Sequence, residues 1–389
     1  MTWTERPPDR PDRPDRPERP ARLTLVQPEH LVYQGAFRVP AGLGYFGAGL
    51  TFCQAHNSLF GADANNNYIA EVGPLPTPVI STTGYLGELP VAPLLQPMTD
   101  ACCGLLQAIV GDAGTVPQIG GLLVWDDGTL RVGASRYYDA NCDGKLSEIR
   151  CALDFAHPQA DGPYQVGGQG AGSIGGYYGR VPIPWQRPLG GPVLHGWTAP
   201  TIVMRTSMGP AAFAINPDEI GVVPPYAPAI PLSFYPYPNG LYDYETRIGQ
   251  ALPLFNSTSH VGGVVVCPAG TRSVLFVGDN GHGPCCYGDV TPTGHCDDPY
   301  DTSKGDHTAP YYLQIWAYDA LELAAVQRGT TICYDVQPYA YWVFGTPFPS
   351  WGRPAALGAC DDPVTGRIFM AQKRAGGDDS VIHVYRVAA

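Results

Sequence analysis

Lysine is nearly missing from this chain: among 389 residues only Lys145, Lys304 and Lys373 carry it, and charged residues of every kind make up just 15%. With a net charge of −12, the sequence has no basic stripe or patch to neutralise phosphates, which excludes nucleic acid and anionic membrane as partners. No apolar run approaches the ~18 residues of a membrane-spanning helix. The first residues, Met1 to Arg22, lack the apolar core and small-residue cleavage site of a secretory leader. The expectation is therefore a leader already removed, or release without one, as by lysis from a virion-producing cell. Helical periodicity is nearly absent, and so are HExxH, the P-loop pattern and CxxC, which removes the zincin, nucleotide-phosphate and zinc-ribbon readings. Gly170, Gly172 and Gly175 match GxGxxG in form, but the following GYYGRVPIPW carries prolines that exclude the phosphate-facing helix.

What remains is apolar and heavily punctuated: 44% hydrophobic residues, with 48 glycines and 41 prolines. Short strands joined by turns, an all-β chain, follow from that composition. Three stretches share one pattern of strand, tight turn, strand, polar loop and strand. They are LTFCQAHNSLFGA running to YIAEV at 72, VVVCPAGTRSVLFV running to LQIWAYD (264–319), and ALGACDDPVTGRIFMAQ running to VIHVYRV (356–387). Cys53, Cys267 and Cys360 fall at equivalent places in them. A repeated unit too small to bury its own apolar face implies radial stacking of units, a β-propeller. The marks support five blades, near 45–90, 100–165, 170–255, 256–347 and 348–387, with six as the alternative because 75–120 and 165–255 are ambiguous. The segment His30–Pro40 reads as a lone strand, placed to complete the last blade and join the two ends of the chain. Asp319 and Glu322 form a capping-box spacing before LAAVQR, and Asn216 caps a single turn at Pro217; both read as connectors.

One domain plus a tail is expected, an arm over 1–29 and the propeller over 30–389. The arm repeats every three residues: Pro8, Pro11 and Pro14 along one edge of a polyproline II helix, Asp9, Asp12 and Asp15 along a second, Arg10, Arg13 and Arg16 along a third. At ~3.1 Å per residue it would reach roughly 45 Å and could dock on a second copy of the chain or on another surface or virion protein. Eleven cysteines favour an oxidising exterior.

The sharpest local motif is Asp139, Asn141 and Asp143 followed by Gly144, with Glu148 beyond, where alternate oxygen ligands would converge on Ca2+. The twelfth position is Arg150 instead of a bidentate carboxylate, so Glu148 would have to substitute; a plain hairpin tip closed by a Cys142–Cys151 bridge is the competing reading. A long insertion at 279–309 gathers Asp279, His282, His295, Asp297, Asp298, Asp301, Asp306 and His307 with Cys285, Cys286 and Cys296. It reads either as a metal or active-site loop or as a surface loop stapled by a disulfide among its three cysteines. Twenty-three tyrosines and seven tryptophans, several in loops such as Phe234–Pro238, Trp197 and Trp351, supply flat faces suited to sugar rings or protein surfaces.

The stretches GTRSVLFVGDNGHGPCCYGD to LQIWAYD (270–319) and HGWTAPTIVMRTSMGPAAFAINP (195–217) resemble uncharacterised β-propeller-like proteins of bacterial, environmental or phage sequences. The resemblance implies a fold and no reaction. Two functions then compete. One is a non-catalytic propeller, extracellular, on the cell surface or on a virion, that binds glycan or protein and assembles through its arm. The other is a calcium-dependent hydrolase or lyase with Asp279, His282 and His260 in the central funnel, holding metal and acting as base.

Overall fold

The computed structural model describes residues 23–111, 114–198, 205–290, 296–375 and 380–388. The Pro-Asp-Arg arm, including Pro8 to Arg16, lies outside the described residues, as do His295 and most of the TIVMRT stretch. The all-β reading holds: the described residues form curled antiparallel sheets with three short α-helices.

After β1 (Leu31–Arg38) come β2 (Phe46–Cys53), β3 (Ser58–Asp63), β4 (Ile69–Val72) and β5 (Leu94–Thr99), one sheet in that order. The helix α1 (Leu106–Val110) precedes a second sheet of β6 (Pro117–Val124), β7 (Thr129–Arg136), β8 (Leu146–Ala152) and β9 (Ala160–Gln165). The third sheet contains β10 (Tyr177–Arg180), β11 (Val193–Gly196), β12 (Ala212–Ile215) and β13 (Ile230–Ser233), with α2 (Ile183–Leu189) between its first two strands. Next follow β14 (His260–Val266), β15 (Ser273–Gly281), the small hairpin β16 (Cys286–Gly288) and β17 (Gly305–His307), β18 (Tyr311–Asp319), α3 (Ala320–Gln327) and β19 (Ala340–Phe344). The chain closes with β20 (Ala356–Asp362), β21 (Arg367–Gln372) and β22 (Val381–Val387). The fourth quartet, β14-β15-β18-β19, and the fifth, β20-β21-β22-β1, are joined into one eight-stranded sheet by a single parallel bridge, Gly263 to Ala359. In that fifth quartet β1 pairs antiparallel with β22, Leu31 opposite Val387 through Arg38 opposite Val381.

The first strands of the quartets are glycine-rich because their backbones lie against one another. A side chain on Gly121 of β6 would overlap the Gly176 carbonyl just before β10, and one on Gly49 of β2 would press on the Gly121 backbone. Gly358 of β20 meets the Gly47 carbonyl of β2, Gly263 of β14 meets Ala359 of β20, and Gly179 of β10 meets Val264 of β14. These contacts run β2 to β6 to β10 to β14 to β20 and back to β2, a closed cycle of inner strands.

Apolar surface is buried between the faces of neighbouring quartets. Phe60, Ile119, Val132 and Ile149 pack the first against the second. Tyr177, Leu194, Val264, Phe276 and Trp316 pack the third against the fourth, and Phe37, Phe46, Phe369 and Ile382 pack the fifth against the first. Strands with both faces covered explain continuous apolar runs such as VVV (264–266) and IFM (368–370). Asp319 caps α3 by accepting from the Leu321 N–H, and Asn216 accepts from the Asp218 N–H, both as the sequence led one to expect.

Candidate functional site

The inner strands begin at one end of the cycle and finish at the other, and each end gathers chemistry. At the starting end, β14 and β15 pair His260 directly opposite Asp279, so both side chains emerge on one face. The His260 Nδ1–H donates to Asp279 Oδ2 at 3.3 Å. Arg353, from the loop ahead of β20, donates through Nε and Nη2 to Asp279 Oδ1 at 3.2 and 2.7 Å and through Nη2 to the Thr258 carbonyl. The guanidinium also lies 4.1 Å over the Tyr311 ring, and the Trp197 ring stands edge-on to His260. Burial of Asp279 would raise its pKa, but Arg353 and then His260 outweigh that and hold it below the ordinary carboxylate value. His260 thus turns Nδ1 to a carboxylate while no described residue bonds Nε2, and the side chain is 22% exposed.

His282 does not join this pair. Strand alternation turns Asn280 and His282 to the face opposite Asp279, where His282 Nε2 meets Gln314 Oε1 at 2.7 Å and Asn280 donates to the Pro253 carbonyl. The expected trio is thus corrected to His260, Asp279 and Arg353. Arg353, which sequence reading missed because it lies 74 residues away, fills the side of Asp279 that a cation would need.

The Asp139 to Glu148 loop is likewise corrected as a calcium site. The Arg136 guanidinium pairs with both Asp139 and Asp143, so a fixed cation already neutralises the loop carboxylates, and Asn141 sits on a simple turn beside them. Glu148 points elsewhere. It is wholly buried on β8 and accepts from the Tyr178 hydroxyl. The proposed Cys142–Cys151 bridge is absent: Cys142 approaches the Arg205 carbonyl, while Cys151 lies 3.8 Å from Cys102, sulfur to sulfur.

The 279–309 insertion is a stapled loop. Cys286 and Cys296 form its disulfide and Cys285 stays a free, buried thiol; nine of the eleven cysteines are free, six of them buried. Asp306 is paired to Arg247. His307 donates from Nδ1 to Asp298 at 3.0 Å and from Nε2 towards the Gly288 and Ser303 carbonyls, and with only acceptors on both sides it is held as an imidazolium. Burial works against the charge, but Asp298 and the two carbonyls prevail and its pKa is raised. A raised base stabilises the fold below its unfolded pKa, and that contribution is lost as pH rises through the folded value. Asp298→Asn should lower the His307 titration point followed by NMR and make the insertion more readily cleaved in limited proteolysis near neutrality; an unchanged titration would refute the pairing.

At the finishing end of the inner strands lies a cleft of about 320 Å³, lined by Cys53, His56, Trp125, Asp126, Arg180, Cys360 and Asp361 among others. Arg180 pairs with Asp126 at 2.9 Å and lies over the Trp125 ring. Burial, and then the neighbouring Asp362, push Asp361 up to about 7. Of the loop aromatics expected to meet a sugar, Trp197 and Tyr235 are buried and Trp351 is exposed.

No protein-family model and no curated protein matches the chain. Among solved structures it is similar to the PQQ-bound aldose sugar dehydrogenase of Streptomyces coelicolor, at 10% identity over 93% of this chain and 97% of that one, with a TM-score of 0.39. It is also similar to a carbohydrate-active enzyme of family AA12 from Trichoderma reesei. The iodide structure of that enzyme matches at 9% identity (92% and 98% covered, TM-score 0.34) and the calcium structure at 10% (95% and 100%, TM-score 0.36). The expectation of a non-catalytic displayed module is corrected here: titratable groups do converge, at His260 and Asp279. Its calcium-dependent hydrolase or lyase alternative falls with Arg353 in the cation's place. Among the described residues no helix is long and apolar enough to cross a membrane.

Proposed function

We propose that the chain is an enzyme that moves a proton to or from a bound polar substrate at the end of the strand cycle where β14 begins, with His260 as the base. The observation that carries this reading is the imidazole held by Asp279 at Nδ1 with Nε2 unbonded among the described residues. A carboxylate in that position fixes the tautomer, orients the ring and stabilises the imidazolium that forms when the proton is taken. Arg353 in turn keeps Asp279 ionised and still, so Asp279 and Arg353 are positioning residues and His260 the catalytic one. The site sits in what we read as a five-bladed propeller closed by β1 on β22; support comes from the five antiparallel quartets, the cyclic contacts of their first strands and the β1–β22 register. An extracellular location is supported by the Cys286–Cys296 disulfide.

Nitrogen-15 NMR tests the first half without a substrate: neutral His260 should carry its proton on Nδ1 and show an unprotonated Nε2. Aldoses, the class named for one similar structure, and polyols form the panel for the second half. His260→Gln should lower turnover by about 10²- to 10⁴-fold, with Asp279→Asn shifting the pH profile as well as lowering the rate. Wild-type turnover in His260→Gln, or a proton resident on Nε2, would overturn the reading.

A further inference from the structure

We infer that Cys53, His56 and Glu71 form a binding site for a thiophilic divalent transition ion of the zinc type, at the end of the strand cycle opposite His260 and independent of the chemistry proposed there. Cys53 is the last residue of β2, His56 sits in the turn 54–57 that joins β2 to β3, and Glu71 belongs to β4. The turn is tight, closed by the Asn57 N–H to the Gln54 carbonyl with Asn57 in the left-handed region (φ 46°), which brings the ends of a Cys-x-x-His spacing onto one side. The sheet supplies the third group: Glu71 lies opposite Phe60 in the β3–β4 ladder.

Sγ of Cys53, a ring nitrogen of His56 and a carboxylate oxygen of Glu71 all lie within 4.8 Å of one another, and His56 Nδ1 is 2.7 Å from Glu71 Oε1. Tetrahedral zinc, with bonds of about 2.0–2.3 Å, would set these donors ~3.5 Å apart. Cys53 and Glu71 are 2% and 1% exposed and fixed, whereas the His56 side chain is 49% exposed on its turn and can supply the adjustment. On binding, His56 would give up its Nδ1 proton in favour of Nε2, and Cys53 would bind as thiolate.

Two further features distinguish this group from an ordinary ion pair. Glu71 is oriented from behind: Gln96 Nε2 donates to its Oε2 at 2.6 Å and Ser58 Oγ donates to its Oε1. Gln96 is itself held by the Leu153 carbonyl and the Phe155 N–H, the sort of outer support that metal-binding carboxylates have. In addition, Cys53 and His56 both line the 320 Å³ cleft, so a fourth coordination position would open into it, as at sites where a metal-bound water or ligand is exchanged. One thiolate with one imidazole selects zinc or cobalt over calcium or magnesium.

The test is cobalt titration of the full chain, stripped with EDTA and kept free of oxygen. One equivalent of Co2+ should produce visible d–d absorption and a thiolate-to-cobalt charge-transfer band, both displaced by zinc. Cys53→Ser should remove the charge-transfer band, His56→Ala and Glu71→Gln should abolish stoichiometric binding, and Gln96→Leu should weaken it by about 10- to 100-fold. Circular dichroism identifies any variant that fails to fold, and Cys53→Ser with His56→Ala, both mild changes at the turn, keep the test decisive. With eight other free thiols in the chain, a charge-transfer band that survives in Cys53→Ser, or no band in the wild type, would overturn the assignment.

Discussion

Gly121→Val should yield no folded protein, and Gly121→Ala should lower the unfolding free energy by about 3 kcal/mol or more, at the upper end of overpacking costs. Most core positions can shift a rotamer to admit a methyl group; this one cannot. A Cβ on Gly121 would overlap the Gly176 carbonyl and come 2.9 Å from Tyr177 Cα, and the opposite side of the same residue is covered by Gly49. The atoms in the way are backbone on both sides. Relief would require parting β6 from β2 or β10, and with it the apolar contacts of Ile119, Leu122 and Leu123. Gly345→Ala, where the added carbon has open space around it, serves as control and should change stability by less than about 0.5 kcal/mol. Urea unfolding of the three proteins decides the matter: a Gly121→Ala midpoint equal to that of Gly345→Ala would mean that the inner strands do not touch as described.

Glu148→Gln should make the protein more stable than wild type at pH 8.5, by a margin that vanishes near pH 4. The Glu148 carboxyl is wholly buried; desolvation raises its pKa to about 8, against the lowering effects of the Tyr178 hydroxyl and Arg131. The folded state then keeps a proton that the unfolded chain releases near pH 4.5. For an acid raised in this way, stability is full below the unfolded pKa and declines as pH climbs towards the folded one. At ~1.4 kcal/mol per unit, the loss across that window is about 5 kcal/mol.

A neighbour runs the other way. His195 stacks on Tyr178, lies 4.0 Å from Glu148 through Nε2 and is pushed down to about 3 by burial, so its own contribution is lost as pH falls below the ordinary histidine value. The two trends cancel in mild acid and leave a decline in the wild type above neutrality. Glutamine keeps an oxygen for the Tyr178 hydroxyl and has no charge to desolvate. Denaturant titrations at pH 5 and 8.5 would show equal slopes in wild type and variant if the carboxyl were ionised throughout.

The local features were legible because short-range chemistry sets them. The Asp319 cap, the cysteine at the end of β2 and the strand-turn-strand units all lie within a few residues of the atoms that determine them. The insertion could be seen as a stapled loop, although the choice of Cys286 and Cys296 over Cys285 depended on which sulfurs the β16–β17 hairpin brought together. The calcium reading failed because a ligand spacing does not reveal that a cation is already present, and Arg136 lies before the motif on β7. Glu148 was assigned to the loop by its number in the chain, yet strand alternation turned it inward.

By itself the sequence determined that the chain is all-β and strand-repetitive, where its turns and caps lie, and that it has neither a basic surface nor a long apolar helix. Tertiary structure alone decided which charges meet: Arg353 on Asp279, Glu148 under Tyr178, Glu71 beside Cys53 and His56. Period and turn chemistry are properties of neighbouring residues, whereas an ion pair or a ligand set depends on how separate strands stack, and stacking is governed by apolar burial, which does not register the charges it brings together.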